Sequence, residues 1–436
     1  MAVPVVAIIG RPNVGKSTFF NRVLGARRAV VHDRPGVTRD RNSARADWSG
    51  RAFVLVDTGG FLPTAAAGRE ALVRRQAELA IDLADVVILM VDGLTGATDL
   101  DGAIARALRR RKARVLLVVN KVDRPGDPLT HDFHRLGLGE PIPISAEGGL
   151  GIGDLLDSVV AELPTNRADS EDAVPRVAIV GRPNVGKSSI VNALLGEERV
   201  IVEATAGTTM DAIDARWETP AGTFVLVDTA GIRRQARFDE TTEFYAAMRA
   251  LRALERADVA CLVVDATQGF LRQEARLAQN AFDAGRPVLL LYNKWDLVEQ
   301  RDQVWKQLAA ARVRRYPSLA DLPAVPISAT RRIHLQRLPA LIGERVEQSS
   351  RRIGTAELNR WLEEAQRRRA APTTRLGHAP RLYYVTQTGS GPPEFTFYVN
   401  APERLGREYR RFLWGHFVER FGFRGTPVRF HYRKSD

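Results

Sequence analysis

The sequence predicts an α/β protein. Two tandem domains, each a mostly parallel sheet with helices on both faces, precede a small basic α+β domain. Three observations predict it. The string GRPNVGKS runs from Gly10 to Ser17 and recurs from Gly181 to Ser188. Each copy lies between an apolar β-type run (5–9 and 177–180) and a segment that reads as helix. The likeness then continues far beyond the string at a nearly constant offset, the mark of a duplicated unit.

Taken in order, PGVTRD (Pro35 to Asp40) aligns with AGTTMD (Ala206 to Asp211), and FVLVDTGG (Phe53 to Gly60) with FVLVDTAG (Phe224 to Gly231), both at an offset of 171. ADVVILMVDGLTG (Ala84 to Gly96) matches ADVACLVVDATQG (Ala257 to Gly269), and VVNKVD (Val118 to Asp123) matches LYNKWD (Leu291 to Asp296), both at 173. IPISAE (Ile142 to Glu147) matches VPISAT (Val325 to Thr330) at 183, because the second copy is longer around Gln300 to Pro323. Strands alternating with helical stretches read as βαβ units. Trp48 and Trp217 hold matching places before turns and are expected to pack the sheet. The expected divisions are 1–164, an acidic exposed linker at 165–175 bracketed by Pro164 and Pro175, 176–349 and 350–436.

Past residue 350 the repeat stops. Thr355 to Arg369 has helical spacing, with Leu358, Trp361, Leu362 and Ala365 on one face and Thr355 as its expected cap. Strands are expected at 382–387, 395–399 and 428–432, with a basic helix from Pro402 to Phe421 between the last two. The tail therefore reads α-β-β-α-β.

Composition is that of a globular chain, with 44% hydrophobic and 26% charged residues. The single cysteine, Cys261, lies in an apolar strand and reads as buried. An intrachain disulfide is impossible, and no Cys/His cluster points to zinc. No apolar run approaches the ~20 residues of a membrane span, and no leader segment is evident, so a cytoplasmic protein is expected. A monomer is expected too. The net charge is +13. From Arg351 to Asp436 there are 17 Lys+Arg against 8 Asp+Glu, so +9 of the excess sits in the tail. That asymmetry points to a polyanionic partner such as nucleic acid. The competing reading is genomic composition, since arginine far outnumbers lysine.

GRPNVGKS fits G-x-x-x-x-G-K-[ST] in strand–loop–helix context. In such a loop the backbone N–H groups of Gly10, Arg11, Pro12, Asn13, Val14 and Gly15, or of Gly181, Arg182, Pro183, Asn184, Val185 and Gly186 (Pro12 and Pro183 apart, which have none), surround phosphate oxygens at a helix N-terminus. Lys16 and Lys187 are expected on the β and γ phosphates, and Ser17 and Ser188 on Mg²⁺, with Thr18 and Ser189 just beyond. The loop alone does not tell ATP from GTP. Asn120-Lys121-x-Asp123 and Asn293-Lys294-x-Asp296 do: a strand-end carboxylate accepts from guanine N1–H and the 2-amino group, which adenine lacks. Asn120 and Asn293 would hold loops and base, and the stems of Lys121 and Lys294 would lie along the ring. Ser145-Ala146 and Ser328-Ala329 would give backbone N–H groups to guanine O6.

Asp57-Thr58-Gly59-Gly60 and Asp228-Thr229-Ala230-Gly231 end strands. Their aspartates could hold Mg²⁺ through water, and the N–H of Gly60 or Gly231 meets a γ phosphate only when one exists. Thr38 and Thr209 would close over the metal. GTP, GDP and Mg²⁺ are thus the expected ligands, and Lys16, Thr38, Gly60, Lys187, Thr209 and Gly231 the residues expected to act on the γ phosphate.

With these motifs the chain resembles the TRAFAC-class GTPases, and two complete sets followed by a basic tail resemble one family, Der (EngA), Era-like bacterial GTPases. The closing GFRGTPVRF (Gly422 to Phe430) is similar to that family's final signature. The resemblance implies GTP hydrolysis coupled to assembly of the large (50S) ribosomal subunit, a KH-like tail, and a ribosomal RNA partner. The position after the DxxG glycine, where Ras-type enzymes keep a water-orienting glutamine, holds Phe61 and Ile232. This resembles the hydrophobic-substituted GTPases, in which a phosphate-loop asparagine ligates K⁺; Asn13 and Asn184 stand there. The resemblance implies slow, K⁺-stimulated turnover, the alternative being that the asparagines only stabilise their turn.

The tail departs from the KH pattern. Its only G-x-x-G is Gly422 to Gly425, before the last strand, so it would meet RNA by charge or dock on a GTPase domain. Arg404, Arg407, Arg410, Arg411 and Arg420 are the RNA candidates, with a solvated helix face as the alternative. Tyr383, Tyr384, Phe395, Phe397 and Tyr398 read as core rather than base platforms. His378, His416 and His431 have no ligand spacing. Rival readings are a scaffold that keeps nucleotide as a structural ligand, and a tRNA-modification GTPase, which resembles one copy only and ends in a cysteine absent here.

Overall fold

A computed structural model of the chain describes residues 3–25, 43–58, 80, 84–111, 113–124, 128–164, 174–196, 202–203, 214–229, 243–371 and 380–434. Most of the 165–175 linker, both PGVTRD/AGTTMD segments, Phe61, Ile232 and His378 lie outside them.

The first α/β unit holds β1 (Val5–Ile9), α1 (Lys16–Gly25), β2 (Ser43–Trp48), β3 (Arg51–Asp57), β4 (Val86–Asp92), α2 (Asp99–Arg110), β5 (Val115–Asn120), β6 (Ile142–Pro143) and α3 (Ile152–Glu162). Its sheet order is β2-β3-β1-β4-β5-β6. All neighbours are parallel except β2 and β3, an antiparallel hairpin. That hairpin turns at Ser49 and Gly50, both at positive φ (51° and 77°), as a two-residue turn matched to strand twist requires. β4 is buried along all of its residues, as a strand covered on both faces must be. One apolar layer packs α2 against the sheet and another packs α1 and α3.

The second unit repeats the plan: β7 (Arg176–Gly181), α4 (Lys187–Leu195), β8 (Val202–Glu203), β9 (Asp214–Thr219), β10 (Gly222–Val227), α5 (Glu243–Arg256), β11 (Val259–Asp265), α6 (Arg272–Asp283), β12 (Val288–Asn293), α7 (Arg301–Arg315), β13 (Ala324–Pro326) and α8 (Leu338–Ser350). Its order, β13-β12-β11-β7-β10-β9-β8, is the first sheet's order with one strand added. The longer stretch in this copy is α7, packed through Trp305 on Tyr292 and Trp295. Cys261 is buried in β11, and burial pushes its thiol up to about 12, so it is not a nucleophile. Trp217 packs on Phe224, and Trp48, half-buried, packs against the first unit's core and donates to Asp157 at 2.6 Å. α5 does not serve its own unit alone. Its Met248 and Leu251 complete the first unit's core, and Arg252 pairs with Asp85 at 3.5 Å.

The tail is α9 (Thr355–Arg368), β14 (Leu382–Gly389), β15 (Glu394–Val399), α10 (Arg407–Phe421) and β16 (Arg429–Lys434), the expected α-β-β-α-β order. β15 is central, antiparallel to β14 and parallel to β16. Three expectations are corrected. Gly354, not Thr355, precedes α9, and no side-chain cap forms, because the start is fixed by Ile353 in the core. A short 3₁₀ turn covers Pro402–Arg404, and α10 begins only after Gly406. Phe395 and Phe397 are core, but Tyr383 (49% exposed) and Tyr384 (42%) are not, since they lie on edge strand β14 at a register irregularity between Leu382 and Tyr384. His416 stacks between Trp361 and Phe412. The G-x-x-G segment docks on the second unit: Val288 N–H donates to Gly425 C=O at 2.9 Å, and a Cβ on Gly425 (φ 71°) would lie 2.3 Å from Pro323 Cδ.

Candidate guanine-nucleotide sites

Both sites lie at the carboxyl ends of parallel strands, where ligands bind in such sheets. The phosphate loops bend alike, with Gly10, Gly15, Gly181 and Gly186 at positive φ and Asn13 and Asn184 left-handed at 65° and 62°. The second glycine is dictated by the strand that ends in the NKxD turn. A Cβ on Gly15 would sit 2.1 Å from Asn120 Nδ2, and one on Gly186 2.3 Å from Asn293 Nδ2. Those amides donate to Val14 C=O (2.8 Å) and Val185 C=O (2.9 Å), so each asparagine fastens its phosphate loop to the strand that ends in the NKxD turn.

The lysines fold back onto their own loops. Lys16 Nζ donates to Gly10 and Arg11 carbonyls at 2.9 and 2.7 Å, and Lys187 Nζ to Arg182 C=O at 2.6 Å. Desolvation brings both ammonium groups down to about 8, with Asp57 opposing the change at Lys16.

At the base end, Ser145 Oγ donates to Asp123 Oδ1 at 2.8 Å. In the second site Ser328 Oγ pairs instead with Thr330 Oγ1 at 3.1 Å. Asp296 Oδ1 is buried and has no hydrogen-bond partner among the described residues. The amides expected at guanine O6 are engaged within the chain. Ala146 N–H donates to Asn120 Oδ1 (2.8 Å) and Ala329 N–H to Asn293 Oδ1 (3.1 Å). Ser145 and Ser328 N–H donate to Leu150 and Ile333 carbonyls at 3.0 and 3.2 Å. The same asparagine that clamps the phosphate loop takes the alanine amide, so these four donors meet a base only by exchanging acceptors.

At the metal end the sites diverge. Ser17 Oγ donates to Asp57 Oδ2 at 2.5 Å, a pair of hard oxygens suited to Mg²⁺. Thr58 Oγ1 donates to Ile8 C=O at 2.8 Å and fixes the strand end. In the second site Asp228 takes a left-handed φ of 58°, and Arg249 from α5 grips both its oxygens at 2.5 and 3.0 Å. Burial raises the Asp228 carboxyl, Arg249 opposing. Among the described residues a cavity of about 30 Å³ lies beside Lys187, Asp228 and Arg249. Thr38, Gly59, Gly60, Thr209, Ala230 and Gly231 lie outside the described residues.

Sequence reading passed over two pairs of charges. Arg11 of the first loop pairs with buried Asp101 at 3.0 Å, and Arg182 of the second pairs with buried Glu274. Each acid also accepts from the backbone at its helix start, Thr98 N–H or Leu271 N–H. Lys121 and Lys294 are held by Asp92 and Asp265 at 2.5 and 2.6 Å. Burial disfavours both carboxylates, yet the lysine hydrogen bonds prevail and hold them below the usual range. Asp101/Glu274 and Asp92/Asp265 keep the 173-residue offset, a signal available in the repeat.

A family model described as a 50S ribosome-binding GTPase matches residues 5–121 and again 176–294. A second, the KH-domain-like C-terminal region of EngA bacterial GTPases, matches residues 352–433. "GTPase Der" of Heliobacterium modesticaldum is 46% identical over 442 residues, covering 100% of this chain and 99% of that protein. The chain belongs to the Der GTPase family. Its Desulforamulus reducens member is 45% identical over 440 residues, again with 100% of this chain and 99% of the relative covered. Among solved structures, Era in complex with a nucleotide analogue and a 16S ribosomal RNA fragment overlaps 60% of this chain and 92% of its own, with 23% identity and a TM-score of 0.32. The family accounts for two GTPase units and a KH-like tail in one chain. Among the described residues no helix is long and apolar enough to cross a membrane.

Proposed function

We propose that this Der-family GTPase binds GTP and GDP with Mg²⁺ at two sites and uses hydrolysis in assembly of the large ribosomal subunit, in the cytoplasm, as a monomer divided near 164, 176 and 350. The observation that carries the guanine assignment is the buried, unpartnered Asp296 Oδ1 at the end of the strand that also clamps the phosphate loop. A carboxylate left so would stay unsatisfied against adenine. Lys16 and Lys187 exchange their loop carbonyls for β and γ phosphates. Ser17 with Asp57, and Ser188 with Asp228, hold the metal, which shields phosphate charge when bound. Thr38, Thr209, Gly60 and Gly231 sense the γ phosphate.

The ribosomal reading is supported by the family models and by exposed Arg404, Arg407, Arg411 and Arg420 on the tail. Arg410 is set apart, since it donates to Leu405 and Pro402 carbonyls and lies over Tyr432. The test is gradient profiling of ribosomal particles after depletion, with binding of large subunits compared under a GTP analogue and GDP. Accumulated immature large subunits and nucleotide-dependent binding are expected. Normal profiles and nucleotide-blind binding would remove the ribosomal role and leave the GTPase one.

Hydrolysis lacks a water-orienting glutamine at Phe61 and Ile232, so K⁺ held by Asn13 and Asn184 is the proposed source of charge between the phosphates. Both asparagines are exposed at the loop's left-handed turn, where a side-chain oxygen can reach a cation. Turnover at matched ionic strength should be faster in K⁺ than in Na⁺; equal rates would end the cation reading.

A further inference from the structure

Where the three folded units meet there is a cavity of about 310 Å³ that none of the nucleotide chemistry uses. Three arginines line it, one from each unit: Arg45 on edge strand β2, Arg286 in the turn between α6 and β12, and Arg429 at the start of β16. The approach is close. A Cβ on Gly285 would lie 2.8 Å from Pro392 Cδ, so the tail's hairpin presses on the turn that carries Arg286.

Within the cavity this positive charge is answered unevenly. Arg429 pairs with Glu394 at 3.0 Å and donates to Asp283 C=O at 3.4 Å. Arg286 donates through Nη2 to Glu255 C=O at 2.8 Å, while its Nε is buried without a partner among the described residues. Desolvation lowers the Arg286 and Arg45 guanidiniums, Glu255 opposes, and Arg429 adds repulsion at both. Glu255 is itself buried with Oε2 unpartnered, and burial raises its carboxyl against the pull of Arg45 and Arg286. In the lining itself three arginines face one carboxylate, Glu394. Glu255 and Asp258 act on them from behind, so three arginines against three ionised acids are neutral, and protonating Glu255 leaves +1. Converging, desolvated cations of one sign are costly without an anion between them.

We propose that this junction is an anion site that takes a small phosphate-bearing ligand and thereby ties the three units together in this arrangement. Guanidinium forks arriving from three directions suit a tetrahedral oxyanion, whose oxygens accept several paired hydrogen bonds, better than a planar carboxylate. The cavity has room for phosphate with its waters, at ~30 Å³ per water. Beyond the polar groups its lining offers Ala284 and Pro392 but no aromatic platform for a base, which favours free phosphate over a nucleotide's terminal phosphate.

The test is equilibrium dialysis of the full-length chain, saturated with GDP and Mg²⁺, against labelled inorganic phosphate. One phosphate per chain is expected, weakened at least ~10-fold in Arg286→Gln and Arg45→Gln, the loss of one or more charged hydrogen bonds. The nucleotide-free Lys16→Ala/Lys187→Ala chain should keep it. Because an arginine variant can fail to fold, Ser390→Glu is the second probe. Ser390 lines the cavity from an exposed position, and its glutamate would place a tethered carboxylate there. That variant should melt no lower than the parent and lose phosphate binding. Adenosine 3′,5′-bisphosphate, which the guanine sites reject, separates the sources. Competition at least ~10-fold better than phosphate, again lost in Ser390→Glu, would assign the site to a nucleotide's phosphate; equal competition assigns it to free phosphate. No saturable binding, or binding that disappears with the two lysines and ignores Ser390→Glu, would overturn the proposal.

Discussion

The two phosphate loops share the string GRPNVGKS, yet their metal ends are built differently. In the first, Ser17 reaches Asp57 directly. In the second, the matching Asp228 lies beneath Arg249. The cause lies beyond each loop, where the next strand begins. Where the first unit has Ser43 at the start of β2, the second has Asp214, which accepts from Asp228 N–H at 3.1 Å and pairs with Arg176 and Arg256. A buried acid at that point recruits arginines, and α5, which carries Arg249 and Arg256, is drawn against the strand end. The same helix plugs the first unit's core through Met248 and Leu251. Identical loops are therefore joined to differently engaged aspartates, and the difference is wired to the contact between units.

The largest effect that would test the comparison is at the base. Asp296→Asn should lower GTP affinity at the second site on the order of 10⁴-fold, because the new amide N–H groups face the guanine 2-amino donor while the amide oxygen can accept only from N1–H. The variant should gain xanthine nucleotide, whose ring carries an acceptor where guanine has its 2-amino donor. Asp123→Asn should do the same at the first site alone. Site-resolved calorimetry checks both, and loss at both sites from one substitution would show that they are not independent readers.

Next in size is Arg249→Gln. Removing a doubly hydrogen-bonded guanidinium frees Asp228 for metal, so Mg²⁺-dependent GDP affinity at the second site should rise by about 10–100-fold, the range of one or two charged hydrogen bonds. The first site should not change. Unaltered affinity at the second site would mean that the arginine does not compete with the ion.

The smallest effect is pH dependence, and here the sites should agree. Each free lysine has been brought down to about 8. Phosphate raises it again, so binding takes up a proton wherever the free lysine has lost one. Affinity is then full below pH 8 and falls as pH rises above it, by at most ~10-fold per unit per lysine. Titrations in buffers of different ionisation heat report the uptake. The sign for folding is opposite: the unfolded chain binds these protons up to the ordinary lysine value, so from about 8 upward the lysine penalty on the folded state fades.

Much of this was legible in residue order. The duplicated loops, the NKxD strand ends and the α-β-β-α-β tail follow from local pattern and period, which the backbone obeys wherever the core is apolar on both faces. What escaped were long-range polar pairings. Nothing near Asp228 in sequence announces Arg249, and nothing near Arg11 announces Asp101, though the shared offset of Asp101 and Glu274 was a clue. Tyr383 and Tyr384 misled because a β-type aromatic pattern does not say which strand is at the edge. Helix starts misled at Thr355 and Pro402 because core residues beside them set the boundary. The three-arginine junction could not be read at all, since it exists only where separately folded units touch.

The most direct test of the account is calorimetric titration of the full chain with a non-hydrolysable GTP analogue and, separately, its ATP counterpart, in Mg²⁺. Two unequal sites for the guanine ligand and none for the adenine one are predicted, the weaker site strengthening in Arg249→Gln. Comparable uptake of the adenine ligand, or two indistinguishable sites that ignore Arg249, would contradict it.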